Sequence, residues 1–106
     1  MTRAEEPELR LLGLAARAGA LIFGTDQVRR AVRAGRVHLA VVASDISENT
    51  SEKLRPLLKA REVAVVEGPD RGTLGALVGR GPLSVIAVTE GSFAERMRPS
   101  AGDARP

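Results

Sequence analysis

Residues 38–43 read HLAVVA, with bulk at Leu39, Val41 and Val42 and none of the apolar–polar alternation that a sheet with one wet face requires. A run this short and this apolar reads as a strand covered on both faces. Working outward, residues 62–67, EVAVVE, repeat the pattern and stop at Gly68 and Pro69. Residues 83–88, LSVIAV, repeat it again after a turn marked by Gly79, Gly81 and Pro82. Leu21, Ile22 and Phe23 add a short extended segment ahead of Gly24.

Helical segments separate these runs. Leu9 to Ala18 places Leu11, Leu14, Ala15 and Ala18 on one face, with Arg10 and Arg17 opposite and Gly19 as the stop. Thr25 or Asp26 is expected to cap a second helix that buries Val28, Ala31 and Val32, reaches Ala34 and ends at Gly35. A third starts in the polar stretch 44–50 and runs toward Arg61, with Pro56 expected to kink or divide it. Asp70 starts a short fourth, and Ser92 is expected to cap a fifth that buries Phe93 and Met97. This order predicts an α/β fold, a three-layer αβα sandwich with a mixed sheet of about four strands.

The 106 residues allow one small domain, expected over 9–98, with a polar lead at 1–8 and a tail at 99–106 that fray. With two Phe and no Tyr or Trp, the core depends on Leu, Val, Ile and Ala, and both Phe are expected to point into it. The absence of Cys excludes a disulfide framework, a thiolate metal site and a cysteine nucleophile. No apolar run is long enough to cross a bilayer, and MTRAEEPELR is too acidic and polar for a secretory signal, so a cytoplasmic protein without membrane contact is expected.

Enzyme chemistry is poorly supplied. His38 has no second His beside it and is expected to be structural or at the surface. Asp26, Asp45, Glu67 and Asp70 follow strands, where α/β folds display active residues, but their spacing joins no two of them into an acid–base pair. Ser44 and Ser84 lack a nucleophile elbow, and the glycine-rich GRG lacks the Walker lysine and the dinucleotide spacing. The expectation is a non-enzymatic protein with no metal and no cofactor.

Sixteen Lys and Arg against thirteen Asp and Glu give a net charge of +3, and the excess is clustered. Helical winding turns Arg29, Arg30, Arg33 and Arg36 into one basic face, and Lys53, Arg55, Lys59 and Arg61 form a second basic run. An Arg-rich composition accounts for the same residues as a solvated surface. A phosphate-binding reading gains from position: Gly24 permits close backbone approach, the amides of Thr25, Asp26 and Gln27 open the helix, and Arg30 follows one turn on. The competing reading makes Gly24 a turn, Thr25 a cap and Asp26 a dipole partner. Without an aromatic platform, a structured, partly unpaired RNA fits better than generic single strands or a DNA groove.

The segments LLGLAARAGALIFG, GTDQVRRAVRAG, VVASDISENTSEKL, TLGALVG and VIAVTEGSF, in this order and spacing from Leu9 to about Met97, resemble the large-subunit ribosomal protein superfamily that binds kink-turn RNA, in its bacterial YlxQ-like branch. The resemblance implies the same αβα sandwich. It implies an RNA site at Gly24, Thr25, Asp26, Gln27 and Arg30, with Ser44 and Asp45 at the next strand exit and Gly79, Arg80, Gly81, Pro82 and Leu83 in a supporting loop. Arg33 extends the basic face of that site. The best-known members carry Asn, Glu and Lys where this chain has Asp26, Gln27 and Arg30; Asn both donates and accepts, whereas ionised Asp only accepts. The function implied is recognition of a structured ribosomal or regulatory RNA, kink-turn RNA included, by a monomer, with ribosomal proteins as further partners. The alternative is a protein-interaction or ribosome-assembly module with weak RNA affinity.

Overall fold

The apolar runs form β1 (Leu21–Phe23), β2 (Leu39–Val42), β3 (Ala64–Glu67) and β4 (Val85–Val88) of a single sheet ordered β1-β4-β2-β3. They belong to a computed structural model that describes residues 9–98; the expected lead and tail lie outside the described residues. β2 and β3 pair in parallel, whereas β4 runs antiparallel to both β1 and β2, so the sheet is mixed. The helices are α1 (Leu11–Arg17), α2 (Thr25–Arg33), α3 (Glu48–Ala60), α4 (Arg71–Leu77) and α5 (Gly91–Met97).

Period-two geometry divides each central strand between two cores. Leu39, Val41, Ala43, Ile86 and Val88 face one side, where Leu12 of α1, Leu74 of α4 and Ala94 and Met97 of α5 complete the cluster. Ala40, Val42, Val85 and Ala87 face the other, against Val28 and Val32 of α2 and Leu54 and Leu58 of α3. Every residue of β2 and β4 is buried, which is why neither strand alternates in polarity. The result is the three-layer sandwich, and burying each of its Leu, Ile and Val side chains is worth about 1.5–3 kcal/mol before chain entropy is charged against it.

The register collects several loops at one end of the sheet. Phe23 pairs with Ile86, and Val42 lies between Val85 and Glu67. The exits of β1, β2 and β3 and the entry to β4 are therefore neighbours. Ala43 donates its amide to the Ser84 carbonyl at 2.9 Å, and Ser44 to that of Pro69 at 2.9 Å. The helix starts after β1 and β3 share this end.

Four local expectations are corrected. The buried face of α1 is centred on Leu12 and Ala15, while Leu14 is 50% exposed and Ala18 is a solvent-facing cap. Leu11–Leu14–Ala15–Ala18 and Leu12–Ala15–Ala16 satisfy the same helical period, and packing against the sheet selects the second. α2 is capped by Gly24 at φ +89°, with no side-chain cap, so neither Thr25 nor Asp26 fills that role. α3 runs undivided through Pro56, an exposed residue, so the division of this segment is not found. α5 is capped at Glu90 without a side-chain hydrogen bond, which places Ser92 inside the helix.

Candidate nucleic-acid interface

The chain leaves β1 at Phe23 and turns into α2 through Gly24, whose positive φ is a conformation that side chains rarely accept. The Gly24 amide reaches the Val85 carbonyl at 3.4 Å, and its carbonyl receives the Val28 amide at 2.9 Å. The amides of Thr25, Asp26 and Gln27 are left at the helix start with no side chain to accept them. Asp26, Gln27 and Arg30 are exposed and Thr25 is half-buried. α2 therefore offers outward donors, the Asp26 carboxylate and the exposed Arg30 guanidinium within its first two turns.

The loop between α4 and β4 closes over the same corner. The Arg80 guanidinium carbon lies 4.0 Å from the centre of the Phe23 ring, next in sequence to Gly24. This stack, worth roughly 0.5–1 kcal/mol at an exposed site, brings Arg80 beside the start of α2. The loop itself rests on Gly75: a Cβ there would stand 1.8 Å from the Gly81 carbonyl oxygen. Pro82 is exposed, and Leu83 is partly buried against the core.

Ser44 and Asp45 lie at the same end of the sheet but are engaged elsewhere. An Asp45 carboxylate oxygen accepts the Arg71 amide at 2.8 Å and lies 3.4 Å from Arg71 Nε. The Arg71 carbonyl in turn accepts the Leu83 amide at 3.1 Å. Asp45 thus ties the exit of β2 to the start of α4 and, through it, to the loop. Arg33 lies at the far end of α2, where its carbonyl accepts from Arg61 Nη1 at 3.0 Å.

Three participants escaped the sequence reading. Phe23 packs against the core as expected, but it is only partly buried and its ring also carries Arg80, a contact the sequence did not suggest. Its place directly before Gly24 at a strand end was the available signal. Arg71 has no local mark that pairs it with Asp45. Arg29 is partly exposed, but its Nε is buried without a hydrogen-bond partner, which a helical wheel does not disclose. Among the described residues no cluster of His, Cys, Asp or Glu could hold a metal ion, and no helix is long and apolar enough to cross a membrane.

At the junction of β3 and α4, two carboxyl groups are held low. Glu67 sits below the usual carboxylate range because the Arg55 guanidinium bonds it through two nitrogens, at 2.8 and 3.0 Å. Asp70 is also held low, first by the Thr73 hydroxyl and then by the Thr73 amide.

A chain that is 33% identical over 87 residues, "RNA-binding protein YlxQ" of Bacillus subtilis (strain 168), is matched across 82% of this chain and 87% of its own length. The protein of the same name from Enterococcus faecium is 30% identical over 90 residues, covering 85% and 86%. A solved structure of a protein of unknown function from Bacillus halodurans C superposes with a TM-score of 0.78 at 37% identity, covering 82% of this chain and 88% of that one. Residues 9–97 match the family described as ribosomal protein L7Ae/L30e/S12e/Gadd45, and with that match over most of its length the chain belongs to this family.

Proposed function

We propose that the protein binds structured RNA at the corner formed by Gly24–Gln27, Arg30 and Arg80. The observation that carries the reading is convergence: open helix-start amides, an exposed guanidinium one turn on, and a second guanidinium stacked on Phe23 beside them. Amides and Arg30 suit a phosphate, and the upper face of the Phe23-supported Arg80 suits an unstacked base. The relatives named as RNA-binding proteins support the same class of ligand. Asp26 and Gln27 supply base-edge groups: an acceptor-only carboxylate matches the adjacent N1 and N2 hydrogens of guanine. Kink-turn RNA, with tandem sheared G·A pairs, is the target class, in a ribosomal or regulatory transcript. Ser44 and Asp45 act from beneath by holding α4 and the loop in place. Among the described residues the large apolar side chain left exposed is Leu14 alone, so the assembly-module alternative lacks a contiguous apolar patch.

Titration of an RNA hairpin carrying tandem G·A pairs, and of its G·A-disrupted form, at several salt concentrations tests the reading. Arg30→Ala should fold normally, since Arg30 is exposed, and should lower the log–log salt slope by about one unit. Asp26→Asn should hold or raise affinity for the G·A-disrupted RNA, while discrimination in favour of the G·A-containing RNA falls by about 1 kcal/mol. Equal binding of the two hairpins by wild type would remove kink-turn specificity, and unchanged affinity and slope in folded Arg30→Ala would remove Arg30 from the site.

A further inference from the structure

Arg33 and Arg61 meet at the end of α2 remote from Gly24, where Arg61 bonds one of the carbonyls that a helix end leaves open. Arg36 follows with its amide fixed to the Ala31 carbonyl at 3.0 Å and its side chain exposed. Among the described residues none of these three guanidinium groups has an acidic partner; acidic side chains there pair instead with Arg55 (Glu67), Arg71 (Asp45) and Arg98 (Glu95). The negative end of the α2 dipole accounts for a cation in its last turn. It does not account for Arg36, beyond the helix, or for Arg29 and Arg30, which carry the positive charge back to the Gly24 corner. Gathering like charges costs energy unless a polyanion neutralises them.

We propose that Arg33, Arg36 and Arg61 form a second contact for the phosphate backbone of the RNA bound at the Gly24 corner. The inference rests on the RNA reading above and extends its footprint along the whole of α2. At about 1.5 Å per residue, α2 spans roughly 13 Å, the length of about four stacked nucleotides. A helical stem flanking the recognised element fits this span, and its phosphates meet the arginines in turn.

The experiment uses the full chain and one RNA hairpin with tandem G·A pairs, built with a flanking stem of about three or about twelve base pairs, each titrated across a range of salt. Wild type should bind the long form more tightly and with the steeper slope. Arg36→Gln/Arg61→Gln should lose about two units of slope and roughly tenfold or more in affinity on the long form, and match wild type on the short one. Arg30→Ala should weaken both. Arg36→Gln alone, which removes an exposed side chain and no backbone bond, should lose about one unit on the long form and serves if the double variant melts early. Wild-type affinity of both Arg36 variants for both RNAs, with Arg30→Ala impaired, overturns the second contact and leaves the first reading intact. Failure of wild type to bind either RNA overturns both, and binding only to an acidic protein surface reassigns the cluster to a protein partner.

Discussion

Two helices begin at the same end of the sheet and treat their first amides in opposite ways. At α4 the Asp70 carboxylate accepts from the Thr73 amide at 3.2 Å and its hydroxyl at 2.6 Å, and Asp45 takes the Arg71 amide. At α2 the cap is a glycine with no side chain, and nothing replaces it. A serine, asparagine or aspartate cap typically stabilises a helix by about 1 kcal/mol, so the bare start is a forgone stabilisation. The difference assigns the two corners separate work. The start of α4 is closed and holds the loop; the start of α2 is open and available to an anion.

The largest expected effect breaks the link between these corners. Gly75→Ala places a methyl group against the Gly81 carbonyl, a backbone atom that cannot rotate away. The 79–83 loop must lift from α4, and the domain should lose about 3 kcal/mol or more, read as urea or thermal denaturation. If the variant folds, it should bind RNA weakly, since Arg80 leaves Phe23. A folded variant with wild-type stability and affinity would show that the loop is not held by this contact.

The next test reads backbone conformation alone. No atom lies within 4 Å of the position a Cβ would take on Gly24, yet φ is +89°. Gly24→Ala is therefore strained without a collision and should cost about 1–3 kcal/mol. Relief of that strain turns the Thr25–Gln27 amides, so RNA affinity should fall more than Arg30→Ala alone produces. A stable variant that binds like wild type would mean that the open amides are not used.

Only the closed half of this contrast was legible in the sequence, because a side-chain cap from Thr25 or Asp26 was expected at α2 as well. Asp70 before a short apolar period signalled a cap, and Gly24 between an apolar triplet and a helical period signalled a special turn. The strands were plain because HLAVVA, EVAVVE and LSVIAV carry bulk on both faces, and two cores use it. The rotation of α1 was not legible, since two residue series fit one period and only packing distinguishes Leu12 from Leu14. The Phe23–Arg80 stack was hidden as well. It depends on the antiparallel pairing of β1 with β4, which joins distant segments, and no local pattern encodes that register. The family resemblance located the loop, but not what Arg80 rests on.

The smallest effect sharpens the closed side of the comparison. Asp70 has a carboxyl group held below its ordinary range by Thr73, so its ionised form stabilises the fold. That contribution is complete above the unfolded-state value near 4 and is lost as pH falls through the lower folded value. Asn caps a helix about as well as Asp, so Asp70→Asn keeps acceptance from the Thr73 amide and removes only the share that belongs to the charge. The melting temperature of the variant should lie slightly below wild type at neutral pH, and the two curves should converge as pH falls below about 4. Curves that stay parallel through that range would mean that the cap works through geometry alone. Because α2 has no side-chain cap at all, convergence would also mark the two helix starts as different in kind: one held by a charge-dependent cap, the other by a glycine turn alone.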